Sequence, residues 1–217
     1  PPLHPPRIPG RIRFIVINKY IFLLTLKLFV IYAGLDTSGD HDPSTPYVIS
    51  VVTSDDSRSI KDSILGRVLD EVRKTLGKKD YTLHATNDSG SVRRVVVSVL
   101  EKYCVKATVL VILDRSKVNR KYLVGVMKGL NLTSAFVVYD NPIFDGVVRA
   151  RKAVRVSLSD ELSVPLQVAD YFSYFWWELF SGKLTDFISF EKILTLTSEI
   201  KVIGFGKKLS LKTFPAV

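Results

Sequence analysis

Three apolar runs of strand length each end on an aspartate, and this pattern constrains the fold more than anything else in the chain. Val30-Ile-Tyr-Ala-Gly-Leu leads into Asp36, Thr108-Val-Leu-Val-Ile-Leu into Asp114, and Ala135-Phe-Val-Val-Tyr into Asp140. Short runs rich in β-branched residues and bounded by turn chemistry predict buried strands, and an acid just past each run predicts a sheet edge that carries carboxylates. The first run continues through Thr-Ser-Gly to a second acid, Asp40. After the turn residues 41–46, Tyr47-Val-Ile-Ser-Val-Val-Thr53 predicts a strand that pairs with the first as a hairpin.

Between these runs the periodicity changes from two to 3.6. Ile60, Ile64, Leu65, Val68, Leu69, Val72 and Leu76 predict a helix, with Ser59 and Asp62 as its capping box and Gly77 as its stop. Residues 91–103 and 118–130 predict two more helices, and 149–156 reads as either a short strand or a loop. Ser163-Val-Pro165 opens a helix to about Phe180, with Ser163 as cap and Pro165 in its first turn. One face of that helix carries Leu166, Ala169, Phe172, Trp176 and Phe180; a second stripe carries Gln167, Asp170, Tyr174 and Trp177. A further helix is expected from Thr185, while the Gly-Phe-Gly-Lys-Lys tail has no assignment. Hairpin, helices, strand, helix, strand, helix is an α/β order, a mixed sheet with helices on both faces. At 217 residues the chain predicts one domain, residues 30–181, with an N-terminal extension over 1–29 and a C-terminal extension over 182–217 that packs on it.

The N-terminal extension has two parts. Residues 1–10 hold five prolines, too many for helix or central strand, and predict an irregular leader. Residues 14–33 are mostly apolar and long enough for a bilayer span, but Asn18, Lys19 and Lys27 interrupt them, and a lysine near mid-membrane costs about 3 kcal/mol. The last third of that run is also the strand that carries Asp36, so an extra strand or helix packed on the domain is favoured over an anchor.

Composition bears on partners and compartment. A formal charge of +10 and a pI near 9.6 favour polyanions, nucleic acid (DNA or RNA) before an acidic membrane surface, with a solvated basic surface as the plain alternative. A single cysteine, Cys104, excludes an internal disulfide, lacks companions for zinc and suits a reducing cytoplasm. One methionine and one glutamine lean towards a thermophilic source.

A two-metal phosphodiester-cleaving site needs carboxylates on rigid elements around hard cations, and Asp36, Asp140 and Asp170 meet that description, with Asp40 beside them. Taken singly, each aspartate at a strand end is as well explained by turn formation. Two basic segments follow the second and third acid-tipped strands: Arg115, Lys117, Arg120 and Lys121, then Arg149, Arg151, Lys152 and Arg155. At the carboxyl edge of an open sheet such segments track a phosphate backbone; elsewhere they serve solubility. Tyr174, Trp176 and Trp177 are either a base-stacking platform or core.

Asp36-Thr-Ser-Gly-Asp40 resembles the D-E-S-G-D of domain of unknown function family 3800. Leu83-His84-Ala85 before a helix, Leu113-Asp114-Arg-Ser-Lys, the strand into Asp140 and Leu166-Gln167-Val-Ala-Asp170-Tyr follow in the same order as that family's patterns, over about residues 30–181. The resemblance implies an RNase H-like fold and a Mg²⁺- or Mn²⁺-dependent nuclease with metal ligands at Asp36, Asp140 and Asp170. It also implies a further polar contributor near His84 and a weaker candidate in Asp114. His84 is otherwise a buried core histidine, and Gln167 either orients a ligand or solvates its helix. The family's glutamate is Thr37 here, which leaves the cluster one carboxylate short unless Asp40 or His84 compensates. A catalytically degenerate nucleic-acid-binding module is therefore the alternative. Gly34-Leu-Asp-Thr-Ser also resembles an actin-like phosphotransferase loop, but no second phosphate loop or second domain accompanies it.

Overall fold

A computed structural model describes residues 29–204 and the backbone of residues 208–211. The irregular leader, the apolar run before residue 29 and most of the Gly-Phe-Gly-Lys-Lys tail lie outside these residues. Among the described residues no helix is long and apolar enough to cross a membrane.

Seven strands form one mixed sheet. The strands are β1 (Val30–Ser38), β2 (Tyr47–Ser57), β3 (Ala107–Ile112), β4 (Phe136–Tyr139), β5 (Lys152–Arg155), β6 (Thr197–Ile203) and β7 (Lys208–Leu211), in the order β5-β4-β1-β2-β3-β6-β7. β1, β2 and β3 make an antiparallel meander, β4 joins β1 in parallel, β5 joins β4 in parallel, and β6 adds in parallel to β3. The central order β3-β2-β1-β4-β5 with only β2 reversed is RNase H-like, as the family resemblance implied, within the α/β class expected from the residue pattern. β1, β3, β4 and β5 consequently end on the same edge.

Helices cover both faces. On one lie α1 (Ile64–Leu76), α2 (Gly90–Lys102), α4 (Val164–Phe180) and α5 (Phe187–Leu196), sharing a core with Val48, Val52, Val109 and Val111 of the sheet. On the other, α3 (Arg120–Lys128) brings Leu123 and Met127 against Leu35, Ile49 and Ile112. The alternation of apolar side chains along β2 and β3 feeds both cores. Within the C-terminal extension, α5 and β6 bury Phe190, Ile193, Ile200 and Val202 in the first of these cores.

Two helix starts differ from expectation. Ser59 and Asp62 do bond each other, but they close a turn ahead of α1, whose cap is Ser63 accepting from the Gly66 N–H. Ser163 makes no capping bond to α4, because a 3₁₀ turn over Glu161–Ser163, capped by Asp160, precedes the helix. The Ser163 hydroxyl instead lies against the Leu158 and Asp160 carbonyls and accepts from Gln167. α4 is buried on both of its stripes, since it lies on β1 and β2 with α1, α2 and α5 around it. Gly34 permits this: a Cβ there would lie 2.0 Å from the Pro165 carbonyl oxygen, so the first turn of α4 sits directly on β1.

Candidate active site

β1 and β4 run parallel with Leu35 opposite Tyr139, so the next residues, Asp36 and Asp140, emerge side by side at the carboxyl edge. α4 crosses above them, anchored by the Ser50 hydroxyl donating to the Ala169 carbonyl at 2.6 Å. One turn of this helix presents Asp170 and Ser173. Ser38 donates to Ser173 at 3.0 Å, and Ser173 in turn donates to Asp36 in a short hydrogen bond.

The segment before α2 supplies the opposite wall. Gln167, buried in α4, accepts from the Leu83 N–H at 2.9 Å, and Asp170 Oδ2 accepts from the Ala85 N–H at 2.6 Å. Buried Asp88 accepts short hydrogen bonds from the Tyr81 and Tyr171 hydroxyls and a longer one from the His84 N–H, while Arg93 donates to the Ala85 carbonyl at 2.7 Å. His84 is thereby held with Nδ1 3.6 Å from Asp170 Oδ2, beyond hydrogen-bond range. Gln167 acts through this segment; its amide satisfies the Leu83 N–H, the Leu158 carbonyl and Ser163 rather than solvating the helix.

Asp40 returns to the same place by a turn. Gly39 adopts φ +88°, and the chain doubles back so that Thr37 Oγ1 donates to Asp40 Oδ2 at 2.7 Å. Asn141 Nδ2 donates to Asp40 Oδ1 at 2.9 Å and to Thr37 Oγ1 at 3.0 Å. Arg115 holds the turn from outside, donating to the Gly39 carbonyl at 2.9 Å with its guanidinium over the Tyr47 ring. At the position where the resembled family has a glutamate, Thr37 contributes a hydroxyl that fixes a different carboxylate.

Asp36, Asp40, Asp140, Asp170 and His84 line one open cleft of about 690 Å³. Asp36 is 5% and Asp170 6% exposed. Burial pushes the Asp36 carboxyl well above its ordinary range, Asp170 pushes it further, and Asp140 and Asp40 add to this against the opposing Ser173 bond. Burial raises Asp170 to about 6 despite the Ala85 N–H and His84. Asp140 is raised by burial and by Asp40. The cleft thus concentrates negative charge; Lys183 also lines it, with its ammonium over the Trp177 ring. Each carboxylate is already engaged by a side-chain or backbone donor, and among the described residues no three acid, histidine or cysteine side chains are arranged to hold a metal ion as they stand.

Other predicted residues fall elsewhere. Asp114 caps the 3₁₀ turn Arg115–Lys117 through the Ser116 N–H and hydroxyl, a turn-forming role two strands away from Asp36. Lys117 lies over the Tyr122 ring, and Arg120 and Lys121 begin α3 beside the second core. Lys152 pairs with Phe136 at the start of β4, and Arg151 acts on Tyr32, so these two cations lie at the edge opposite the cleft. A parallel β4–β5 crossover must return the chain to the starting edge, which the expectation for this segment overlooked. Arg149 is exposed two residues earlier; Arg155, opposite Tyr139, is nearer the carboxyl edge but pairs with Asp145 at 3.2 Å. Trp176 is core and donates to Thr197. Trp177 lines the cleft, with Lys183 over its ring and Gly39 against its edge. Eight positive charges, on Arg7, Arg11, Arg13, Lys19, Lys27, Lys207, Lys208 and Lys212, lie outside residues 29–204 and no acid does, so only +2 of the net +10 belongs to residues 29–204.

Ser173, Asn141, Asp88 and Arg93 were not anticipated. Ser173 follows Asp170 by three residues and Asn141 follows Asp140 directly, spacings that mark neighbours on a helix and at a strand end. Asp88 and Arg93 carried no signal of their own, since turn and helix-surface roles explain them equally well.

No family model matches the sequence, and no curated protein is significantly similar to it. Solved structures similar to the chain include RNase HII in its PCNA complex from Archaeoglobus fulgidus, at 16% identity and a TM-score of 0.45 over 74% of this chain and 79% of that one. Bst-RNase HIII in complex with Mn²⁺ matches at 13% identity and a TM-score of 0.45, over 71% of this chain and 54% of that one. Neither likeness carries weight for function, and the fold class rests on the strand order itself.

Proposed function

We propose that the chain is a divalent-metal-dependent phosphodiester hydrolase that acts on nucleic acid, DNA or RNA, in the cytoplasm. The observation that carries this reading is the convergence of Asp36, Asp40, Asp140 and Asp170 on one open cleft where burial and mutual repulsion raise three of the four carboxyls. A hard divalent cation, Mg²⁺ or Mn²⁺, relieves that repulsion, and the all-oxygen aspartate set has the donor chemistry it requires. Its binding requires side-chain rotation within the cleft. When bound, such a cation polarises a phosphoryl oxygen and lowers the pKa of a water. Asp36, Asp140 and Asp170 would hold it, Asp40 would stand beside them under the control of Thr37 and Asn141, and Ser173 would keep Asp36 in place. The catalytic domain on this reading is residues 30–181. Membership of domain of unknown function family 3800 is part of the same proposal, supported by the placement of four of its quoted motifs around the cleft.

Incubation with single-stranded and duplex DNA, RNA and hybrids in Mn²⁺ or Mg²⁺ tests the proposal, with Asp170→Asn as the control. Cleavage that the substitution abolishes is expected; no cleavage of any substrate, or cleavage indifferent to Asp170, refutes it. A non-catalytic binding module is the second reading, favoured by the absence of a ready-made three-donor arrangement among the described residues and by Thr37 in place of an acid. That reading expects nucleic-acid binding with no metal dependence and no cation at the cleft.

A further inference from the structure

We propose that His84 is a nitrogen donor to the cation and makes the cleft prefer first-row transition ions over Mg²⁺. The inference rests on the cation reading above. His84 Nδ1 is buried and has no hydrogen-bond partner among the described residues, although the side chain as a whole is 36% exposed. Its surroundings do not share that lack. The Leu83, His84 and Ala85 N–H groups all have acceptors, and Arg93 donates to the Ala85 and Thr86 carbonyls. Four side chains, Gln167, Asp170, Asp88 and Arg93, from two helices and the intervening segment therefore fix the backbone that presents this ring, and His84 lines the cleft with its Nδ1 left over. A buried polar atom without a partner costs about 1–3 kcal/mol, so a fixed backbone that leaves it orphaned implies a missing partner.

Simple pairing of a charged His84 with Asp170 is a poor account of that partner. At 3.6 Å the two atoms do not hydrogen-bond, and Asp170 Oδ2 already accepts from the Ala85 N–H. The separation does suit two donors of one ion: ligands about 2.1 Å from a common octahedral centre lie about 3–4 Å apart. One imidazole among carboxylates changes which ion is favoured. Mg²⁺ gains little from nitrogen, whereas the affinity of a nitrogen donor rises from Mn²⁺ to Co²⁺.

The test measures Mg²⁺, Mn²⁺ and Co²⁺ binding to the intact chain by calorimetry, for the wild type, His84→Ala and His84→Gln, with the ¹⁴N signal of bound Mn²⁺ read by pulsed electron paramagnetic resonance. The wild type is expected to show a ¹⁴N coupling, and both variants to lose it. Weakening by His84→Ala should be greatest for Co²⁺, about tenfold or more, smaller for Mn²⁺ and under threefold for Mg²⁺. His84→Gln, which keeps a polar group of similar reach, separates loss of the nitrogen from loss of the fold. Equal weakening for all three ions, no weakening, or a ¹⁴N signal that survives in the variants overturns the assignment of His84 while leaving the cation site intact. Absence of any cation binding to the wild type overturns the proposed function itself.

Discussion

Neutralising Asp170 should stabilise the metal-free protein at neutral pH and leave its stability in acid unchanged. The Asp170 carboxyl, ordinarily near 3.8, is raised to about 6 in the folded chain, first by burial and then by Asp140 and Asp88. An acid raised on folding binds its proton more tightly in the native state, so its contribution is harmless below about pH 4 and its cost grows as pH rises to about 6 and stays at full size above that. Two pKa units correspond to about 3 kcal/mol. Asp170→Asn removes the charge yet keeps an oxygen to accept from the Ala85 N–H, and the attraction of His84 is already contained in the raised value. At about 2–4 °C per kcal/mol for a chain of this size, the variant should melt about 6–12 °C above the wild type at pH 7.5 in chelator and level with it at pH 4. Thermal unfolding followed by circular dichroism across this pH range is the assay. A variant that is equal to or less stable than the wild type at pH 7.5 refutes the view that the cleft stores unrelieved negative charge.

Thr37→Val should release Asp40 from one of its two side-chain donors and weaken cation binding about fivefold, the equivalent of one modest hydrogen bond, as measured by calorimetry; unchanged affinity would mean that Thr37 does not position Asp40. Gly39→Ala puts a side chain at φ +88° with its Cβ 2.2 Å from the Pro46 carbonyl oxygen, and a loss of about 2–4 kcal/mol in urea unfolding is expected, whereas a loss under 1 kcal/mol would contradict the turn geometry. Gln167→Leu strands the Leu83 N–H in the interior and should cost about 1–3 kcal/mol while lowering hydrogen-exchange protection at Leu83 and Ala85; protection that persists would show the segment is held without it.

Strand ends and helix faces were readable from the chain because burial imposes them. Val109 to Ile112 are fully buried, and the 3.6-residue repeat of α1 maps directly onto the buried set Leu65, Val68, Leu69 and Val72. Parallel pairing of β1 with β4 then places Asp36 beside Asp140 as the acid-tipped runs suggested. What was not readable depends on how the chain returns. Arg151 and Lys152 follow Asp140 in sequence yet lie at the other edge, because register and crossover direction are tertiary facts. Ser163 had cap chemistry, but Asp160 begins a 3₁₀ turn first and the serine is drawn into bonds with Leu158, Asp160 and Gln167. The double role of Asn141, on Asp40 and on Thr37, depends on the left-handed turn at Gly39. Net charge is a sum over the chain, and +8 of the +10 belongs to residues outside 29–204.

The central claim is that the aspartates of the cleft hold a divalent cation. A crystal of the chain soaked in Mn²⁺ tests it, read by anomalous difference density at an energy where manganese scatters strongly. A peak in the cleft within about 2.0–2.3 Å of oxygens from Asp36 and at least one of Asp140 and Asp170 is predicted. Saturating Mn²⁺ with no peak in the cleft, or a peak only on surface carboxylates such as Asp114, would contradict it.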